Sequence, residues 1–338
     1  MTPRFPVIVG PTAGGKTALA VEVALEFARR GVGSGEPPEA SARRADLPKA
    51  NPTAAEIISA DSMLLYKGLD IGAAKPTAAE RRGVPHHLID IIEPTERFSV
   101  HQWLAEAERL IGEIKARGGV PVVVGGTHLY VKALLEGMFE GPGADEAVRA
   151  EFFAMPPAER RALLERVDPA AAGRIHPNDE RRTVRALEVW RLTGRPISEH
   201  QGQWDRGARA DCVLVGLDWP TEAINGRINA RVKQMMADGL LEEARGLWEA
   251  GRLGPQAREG LGYKQLAAHF EGRCSLEEAV EEIKIETRRF AKNQRTWLKR
   301  LRTTPGAIWL EMPGEGPQKQ AQVIVDACLA RGRAERHA

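Results

Sequence analysis

Gly10-Pro11-Thr12-Ala13-Gly14-Gly15-Lys16-Thr17 fits the pattern G-x-x-x-x-G-K-[ST]. Before it, Phe5-Pro6-Val7-Ile8-Val9 is a short apolar run that reads as a buried strand. After it, residues 18–30 (ALAVEVALEFARR) read as a helix. Strand, Gly-rich turn and helix is the context that turns the pattern into a phosphate site. The loop's backbone N–H groups converge on an anion, and the helix N-terminus adds partial positive charge. Lys16 supplies a point charge, and Thr17 supplies a hydroxyl able to ligate Mg²⁺. All eight residues are therefore expected around a diphosphate or triphosphate group. What is done with that group is left open by the loop alone.

Working outward, residues 55–61 (AEIISAD), 84–92 (VPHHLIDII), 120–124 (VPVVV) and 213–217 (VLVGL) read as further strands. Helical patterns fill 100–117, 221–239, 240–250 and 276–302. Strands alternating with helices predict an α/β fold with a parallel sheet flanked by helices. Ligands of such sheets sit at the C-terminal ends of the strands. Asp61 and Gly125-Gly126-Thr127 follow strands, so they should crowd the phosphate loop. Between 141 and 204 strand-like runs vanish, Arg is dense and Lys is absent. This predicts a small all-helical insertion, with the P-loop core over 1–140 and 205–330. Residues 31–55 are rich in Gly, Pro, Ala and Arg and read as a low-complexity surface loop.

Composition restricts the setting. The 338 residues carry 48 Lys and Arg against 46 Asp and Glu, a net charge of +2, so any nucleic-acid surface must come from local clustering. The three cysteines (Cys212, Cys274, Cys328) form no C-x-x-C, which argues against a zinc site or a disulfide framework. No signal peptide and no apolar run of membrane-spanning length is found, so a cytoplasmic protein without membrane attachment is expected.

Asp61 has three readings: it holds Mg²⁺ through water, acts as general base, or caps a following helix. The strand before Gly125 ends on glycines and a hydroxyl where an ATPase strand would end on an acid. This suggests close approach of substrate backbone, or simply a tight turn. Arg227 and Arg231, four apart on a helix, share a face. They suit a diphosphate, or else a solvated face paired with acids. Residues 284–302 carry eight basic residues and one acid. Phe290 and Trp297 on that helix read as core. The basic remainder, Arg288 and Arg295 included, suits a phosphodiester backbone or bulk solvent.

Together these segments resemble the tRNA dimethylallyltransferase family. The likeness runs through GPTAGGKT (10–17), ISADSMLLYKGLDIGAAKP (58–76), VPHHLID (84–90), PVVVGGTHLY (121–130), RIHPNDERRTVRALEV (174–189), GLGYKQ (260–265) and TRRFAKNQRTW (287–297). The resemblance implies transfer of a dimethylallyl group from its diphosphate to the exocyclic amine of the adenosine 3′ of a tRNA anticodon, with Mg²⁺ as cofactor. Lys16 and Arg231 would stabilise the leaving diphosphate, Asp61 would be the base, and Thr12 and Thr127 would orient the reactants. Asp61, Ser62, Met63, Leu64, Thr127, Arg149, Arg181, Arg182, Thr183, Val184, Arg185, Glu259, Gly260, Leu261, Gly262, Tyr263 and Lys264 match tRNA-facing positions. The adenine would enter a channel from one side and dimethylallyl diphosphate from the other, the base having left its stack. A compact bacterial form acting as a monomer is expected. The alternatives are a P-loop kinase for a small metabolite or nucleotide, and a non-catalytic RNA-binding or regulatory P-loop protein.

Overall fold

The computed structural model describes residues 3–32, 54–138, 141–200 and 209–330. The low-complexity loop expected over 31–55 therefore lies almost wholly outside the described residues. By contacts the chain divides into two compact units, Met1–Lys132 with Arg209–Ala338, and Ala133–Ala208.

The first unit is built on β1 (Phe5–Val9), β2 (Ala55–Ala60), β3 (His86–His87), β4 (Val120–Gly125), β5 (Cys212–Asp218) and β6 (Ile308–Glu311). They form one sheet in the order β3-β2-β4-β1-β5-β6, every pair parallel. β1, β2 and β4 are buried along their whole length, which is why they read as continuous apolar runs. The register sets Ile8 beside Val124 and Ser59 beside Val124. Hence the ends of β1, β4 and β2 lie side by side.

Helix α1 (Lys16–Arg29) follows β1 and packs against the C-terminal helix Pro317–Ala330. Short α2 (Ala78–Arg81) opens on a Thr77–Glu80 capping box, and α3 (Val100–Ala116) on a Ser99–Gln102 box. On α3, Trp103 is fully buried, donates Nε1–H to Ser59 O at 2.9 Å, and stacks on Tyr130 at 4.6 Å. α4 (His128–Glu136) follows β4.

Two sequence expectations change here. The strand expected over 84–92 shrinks to His86–His87, because Leu88 and Asp90 turn into positive φ (60° and 58°) and Asp90 and Ile91 bond back to Leu64 O and Leu65 O. β6 went unseen because it is short, at the sheet edge and only half-buried.

The second unit contains α5 (Glu146–Ala154), α6 (Pro157–Val167), α7 (Pro169–Arg174), α8 (Glu180–Thr193) and α9 (Ile197–His200), with no strand among its described residues. It begins at Ala133, earlier than the 141–204 insertion expected from composition. The composition marks the Gly-Pro break at 141–143, whereas the contacts divide within α4. Phe152, Leu164, Ala171, Val184, Leu187 and Val189 form its core. Glu188 lies at the centre, 0% exposed, and accepts from Asp145 N–H (2.7 Å), Arg149 Nε (2.9 Å) and Arg185 Nη1 (2.6 Å). Arg160, also buried, donates to Phe152 O at 2.9 Å and pairs with Glu180. Part of the Arg density is thus internal wiring.

The first unit then continues with α10 (Thr221–Ala237), α11 (Leu240–Glu249), α12 (Tyr263–Phe270), α13 (Leu276–Arg300) and α14 (Pro317–Ala330). α13 packs on α10 and α12.

At the other end of β2, Glu56 is buried and accepts from Arg117 Nε and Nη2 (2.8 and 2.7 Å) and from His87 Nε2 (2.7 Å). Burial pushes its pKa up, but the His87 and Arg117 hydrogen bonds and the Arg117 charge outweigh this and lower it from 4.5 to about 2. A depressed carboxylate stabilises the fold above its unfolded pKa and loses that contribution as pH falls through the folded value. Glu56→Gln is therefore expected to lower the melting temperature at neutral pH, and the gap to wild type should close between about pH 4.5 and 2. Melting curves of both proteins across that range check this; a gap independent of pH contradicts it.

Candidate active site

The phosphate loop leaves β1 and is held from outside by its carbonyls. Pro11 O accepts from Lys16 Nζ at 2.8 Å and from Gly14 N–H at 3.1 Å. Ala13 O accepts from Arg227 Nε at 2.8 Å, and Gly14 O from Trp219 Nε1 at 3.1 Å. The Arg227 guanidinium lies over the Trp219 ring at 4.8 Å. These bonds hold Ala13 at φ 58°, a left-handed conformation that costs a side-chain-bearing residue about 1–2 kcal/mol. Gly15, the α1 N-cap, makes no side-chain cap, so the first-turn amides remain available to a ligand.

Beside the loop lies a small cavity of about 90 Å³, lined among others by Thr12, Lys16, Thr17, Asp61, Leu64 and Arg231. A larger one, about 1320 Å³, is lined by Ser62, Met63, Thr127, α10, α13 and residues 256, 258–262, 264 and 265. Thr12, Asp61, Ala73, Ala74, Arg231 and Phe290 line both. A continuous wall therefore joins a tight polar space at the phosphate loop to a roomy one.

The charges at this junction are unbalanced. Desolvation lowers the Lys16 pKa to about 8; the Asp61 carboxylate opposes the shift and the Arg231 guanidinium adds to it. Arg231 is lowered as well, first by burial and then by Arg227, against the pull of Asp61. Lys16, Arg231 and Arg227 crowd together against Asp61 and Glu80, and this excess of cations makes a site that an anion completes.

Asp61 follows β2 directly. Its Oδ1 accepts the Met63 N–H at 2.9 Å, an Asx turn, and its other oxygen has no partner among the described residues. No helix follows it, so the capping reading falls. Thr127 Oγ1 accepts the Ser62 N–H at 3.0 Å and its own N–H donates to Ala60 O at 3.2 Å, tying the β4 end to the Asp61 turn.

The two glycines before Thr127 answer to protein packing, not to a substrate backbone. A Cβ on Gly125 would sit 2.1 Å from Ala60 O, and one on Gly126 would sit 2.5 Å from Gln294 Nε2.

Of the residues matched to tRNA-facing positions, Asp61, Ser62, Met63, Thr127, Glu259, Gly260, Leu261, Gly262 and Lys264 line the large cavity, and Leu64 lines the small one. Tyr263 is withdrawn: it is 1% exposed and donates its hydroxyl to Glu243 at 2.6 Å. In the second unit, Thr183 and Val184 are buried, and Val184 belongs to the core cluster. Arg149 and Arg185 are bound to Glu188, and Arg185 also donates to Pro142 O at 2.8 Å. Arg181 and Arg182 remain exposed on α8. On α13, Arg288 donates to Asn229 (2.5 Å) and Arg295 to Thr221 (2.7 Å), so both are held against α10.

Three functional groupings went unread in the sequence. Gln294 lies between the loop and β4, Trp219 closes the loop from below, and Glu243 accepts the backbone N–H groups of Asp70, Ile71 and Gly72 (2.9, 2.8 and 3.0 Å). Gln294 had a signal. It occupies an apolar slot in the 291, 294, 298 spacing of α13. Phe290 and Trp297, expected in the core, instead flank His128 at 6.4 and 4.9 Å, and Phe290 is 39% exposed at the cavity junction.

The family model of IPP transferase matches residues 64–301. The chain belongs to this family. It is 42% identical to a tRNA dimethylallyltransferase of Geobacillus kaustophilus, over 94% of this chain and 93% of that one. A similar relative from Geobacter sulfurreducens bears the same name at 40% identity, over 92% of each. Among solved structures, the full-length tRNA isopentenylpyrophosphate transferase of Bacillus halodurans is similar at 35% identity, with a TM-score of 0.68 over 99% of this chain and 100% of that one. A eukaryotic dimethylallyltransferase acting on tRNA is similar at 25% identity, with a TM-score of 0.79 over 98% of this chain and 80% of that one. Family membership places the six-stranded sheet among IPP transferases, and it does not favour a kinase.

Proposed function

We propose that the protein is a tRNA prenyltransferase: it transfers the dimethylallyl group of dimethylallyl diphosphate to the exocyclic amine of the adenosine 3′ of the anticodon. The observation that carries this is the junction itself. A carboxylate with one open oxygen and the Arg231 guanidinium line a wall shared by a phosphate-loop cavity, which Lys16 also lines, and a cavity roomy enough for an extruded base. The diphosphate occupies the loop, held by Lys16, Arg231 and the first-turn amides of α1. The base enters from the large cavity past Ser62, Met63 and residues 259–264. As the C–O bond of the donor breaks and the N–C bond forms, the electron pair leaves on the diphosphate. Lys16 and Arg231 stabilise that charge. Asp61 takes the proton of the amine through its open oxygen, and Thr12 and Thr127 hold the reactants across the junction.

The residues fit a magnesium ion. The Thr17 hydroxyl and Asp61 line the small cavity, and no cluster of three His, Cys, Asp or Glu forms a closed metal cage among the described residues. That suits an ion which keeps water and substrate phosphate oxygens as ligands. When bound, it neutralises part of the leaving charge. We place the enzyme in the cytoplasm as a monomer. No described helix is long and apolar enough to cross a membrane.

Incubation with tRNA and label in the dimethylallyl moiety should move label into RNA. Label that stays in the diphosphate pool contradicts the proposal.

The exposed arginines of α8 are proposed to hold the RNA backbone. Neutralising Arg181 and Arg182 together should weaken tRNA binding and flatten its salt dependence by about 0.7 to 0.9 log units for each phosphate left without its arginine. Affinity for dimethylallyl diphosphate should hold. Arg185→Ala, which strips a partner from buried Glu188, should lower stability instead. Equal salt slopes for wild type and the double variant would mean that the RNA surface lies elsewhere.

A further inference from the structure

Gln294 is 2% exposed, on a helix that otherwise lines the large cavity with Glu282, Glu286, Phe290 and Asn293. Its Oε1 accepts the Thr12 N–H at 2.7 Å, and its Nε2 donates to Gly126 O at 3.0 Å. One side-chain amide thus joins the phosphate loop to the end of β4. It uses both of its functions, and the two bonds are of opposite polarity. Gly126 is a residue without a Cβ at the point where this amide passes, and the same Cβ position would lie 3.5 Å from Lys16 Nζ. The clasp is therefore adjacent to the cation of the loop. Thr12 lines both cavities and Thr127 follows Gly126, so two residues that line the large cavity with Asp61 are attached to opposite ends of the clasp.

We propose that Gln294 is a positioning residue for prenyl transfer: its amide sets Thr12 and the Gly126-Thr127 turn at the separation the reaction needs. This rests on the prenyl-transfer reading above. The Thr12 N–H is spent on Gln294, so the backbone of a residue that lines both cavities is anchored by the clasp. The link also ties α13, which lines the large cavity, to the phosphate loop. Displacement of reacting groups by about 1 Å is enough to cost about 100-fold in rate.

The test uses the full-length enzyme, dimethylallyl diphosphate and tRNA, with wild type run in parallel. Gln294→Met keeps the volume and removes both hydrogen bonds. It should lower kcat by about 100-fold when assayed well below its melting temperature, with KM for tRNA little changed and a lower melting temperature, because the Thr12 N–H and Gly126 O lose their partner. Gln294→Glu keeps the acceptor for Thr12 and loses the donor to Gly126 while ionised. Its rate relative to wild type should climb as pH falls, because the protonated carboxyl donates again. A merely structural glutamine would shift the melting temperature and leave kcat near normal at low temperature; that result overturns the proposal. So does a loss confined to KM for tRNA, or a Gln294→Glu ratio flat in pH. If wild type itself leaves tRNA unmodified, the functional reading fails, not the clasp.

Discussion

Asp61→Ala is expected to cut turnover by about 100- to 10,000-fold, the range for loss of a general base, with a much smaller loss of tRNA affinity. The exocyclic amine of adenine is a weak nucleophile because its lone pair is delocalised into the ring. Removing its proton as the new bond forms is where a carboxylate helps. The structure separates two duties of Asp61. One oxygen holds the Met63 N–H, and the other has no partner among the described residues. Asp61→Asn keeps an acceptor for the Met63 turn and removes the basicity. It should be about as inactive as the alanine variant. If Asp61→Asn turns over normally while Asp61→Ala does not, the residue shapes the turn and the base must be sought elsewhere.

Lys16→Ala should lower the transfer rate by about 100-fold or more, since one charged donor to the leaving group is lost. The fold should hardly notice. The ammonium sits in a site that desolvation makes unfavourable to it, and the hydrogen bond it makes in the protein is to Pro11 O. A side chain that destabilises itself until an anion arrives is poorly explained by folding and well explained by binding. The check is single-turnover transfer at saturating dimethylallyl diphosphate, alongside a thermal melt. A variant with normal transfer and a lowered melting temperature would reverse the assignment and make Lys16 structural.

The parts of the fold legible in the sequence were those where a local pattern and burial agree. β1, β2, β4 and β5 are buried runs, and α3 and α13 follow the helical patterns over 100–117 and 276–302. The phosphate loop was legible because its spacing is itself the geometry. What stayed hidden depends on contacts between distant segments. Gln294 meets Thr12 across 282 positions, and Trp219 meets Gly14 across 205. Nothing local marks such pairs beyond a polar residue in an apolar slot. The Arg-rich α8 reads ambiguously for a related reason. Charge on a helix looks alike whether it faces solvent or, like Arg185, a buried carboxylate such as Glu188. Strand β3 failed because positive φ at Leu88 and Asp90 is set by the Leu64 and Leu65 carbonyls, which the apolar pattern of 84–92 does not report.

The most direct measurement is mass spectrometry of nucleosides and anticodon fragments from tRNA incubated with the protein, dimethylallyl diphosphate and Mg²⁺, with ATP turnover followed in parallel. The expected result is adenosine carrying one dimethylallyl group on its exocyclic amine, located immediately 3′ of the anticodon, with diphosphate released in equal amount and no ATP consumed. Unmodified tRNA together with ATP consumption at a kinase-like rate would contradict it.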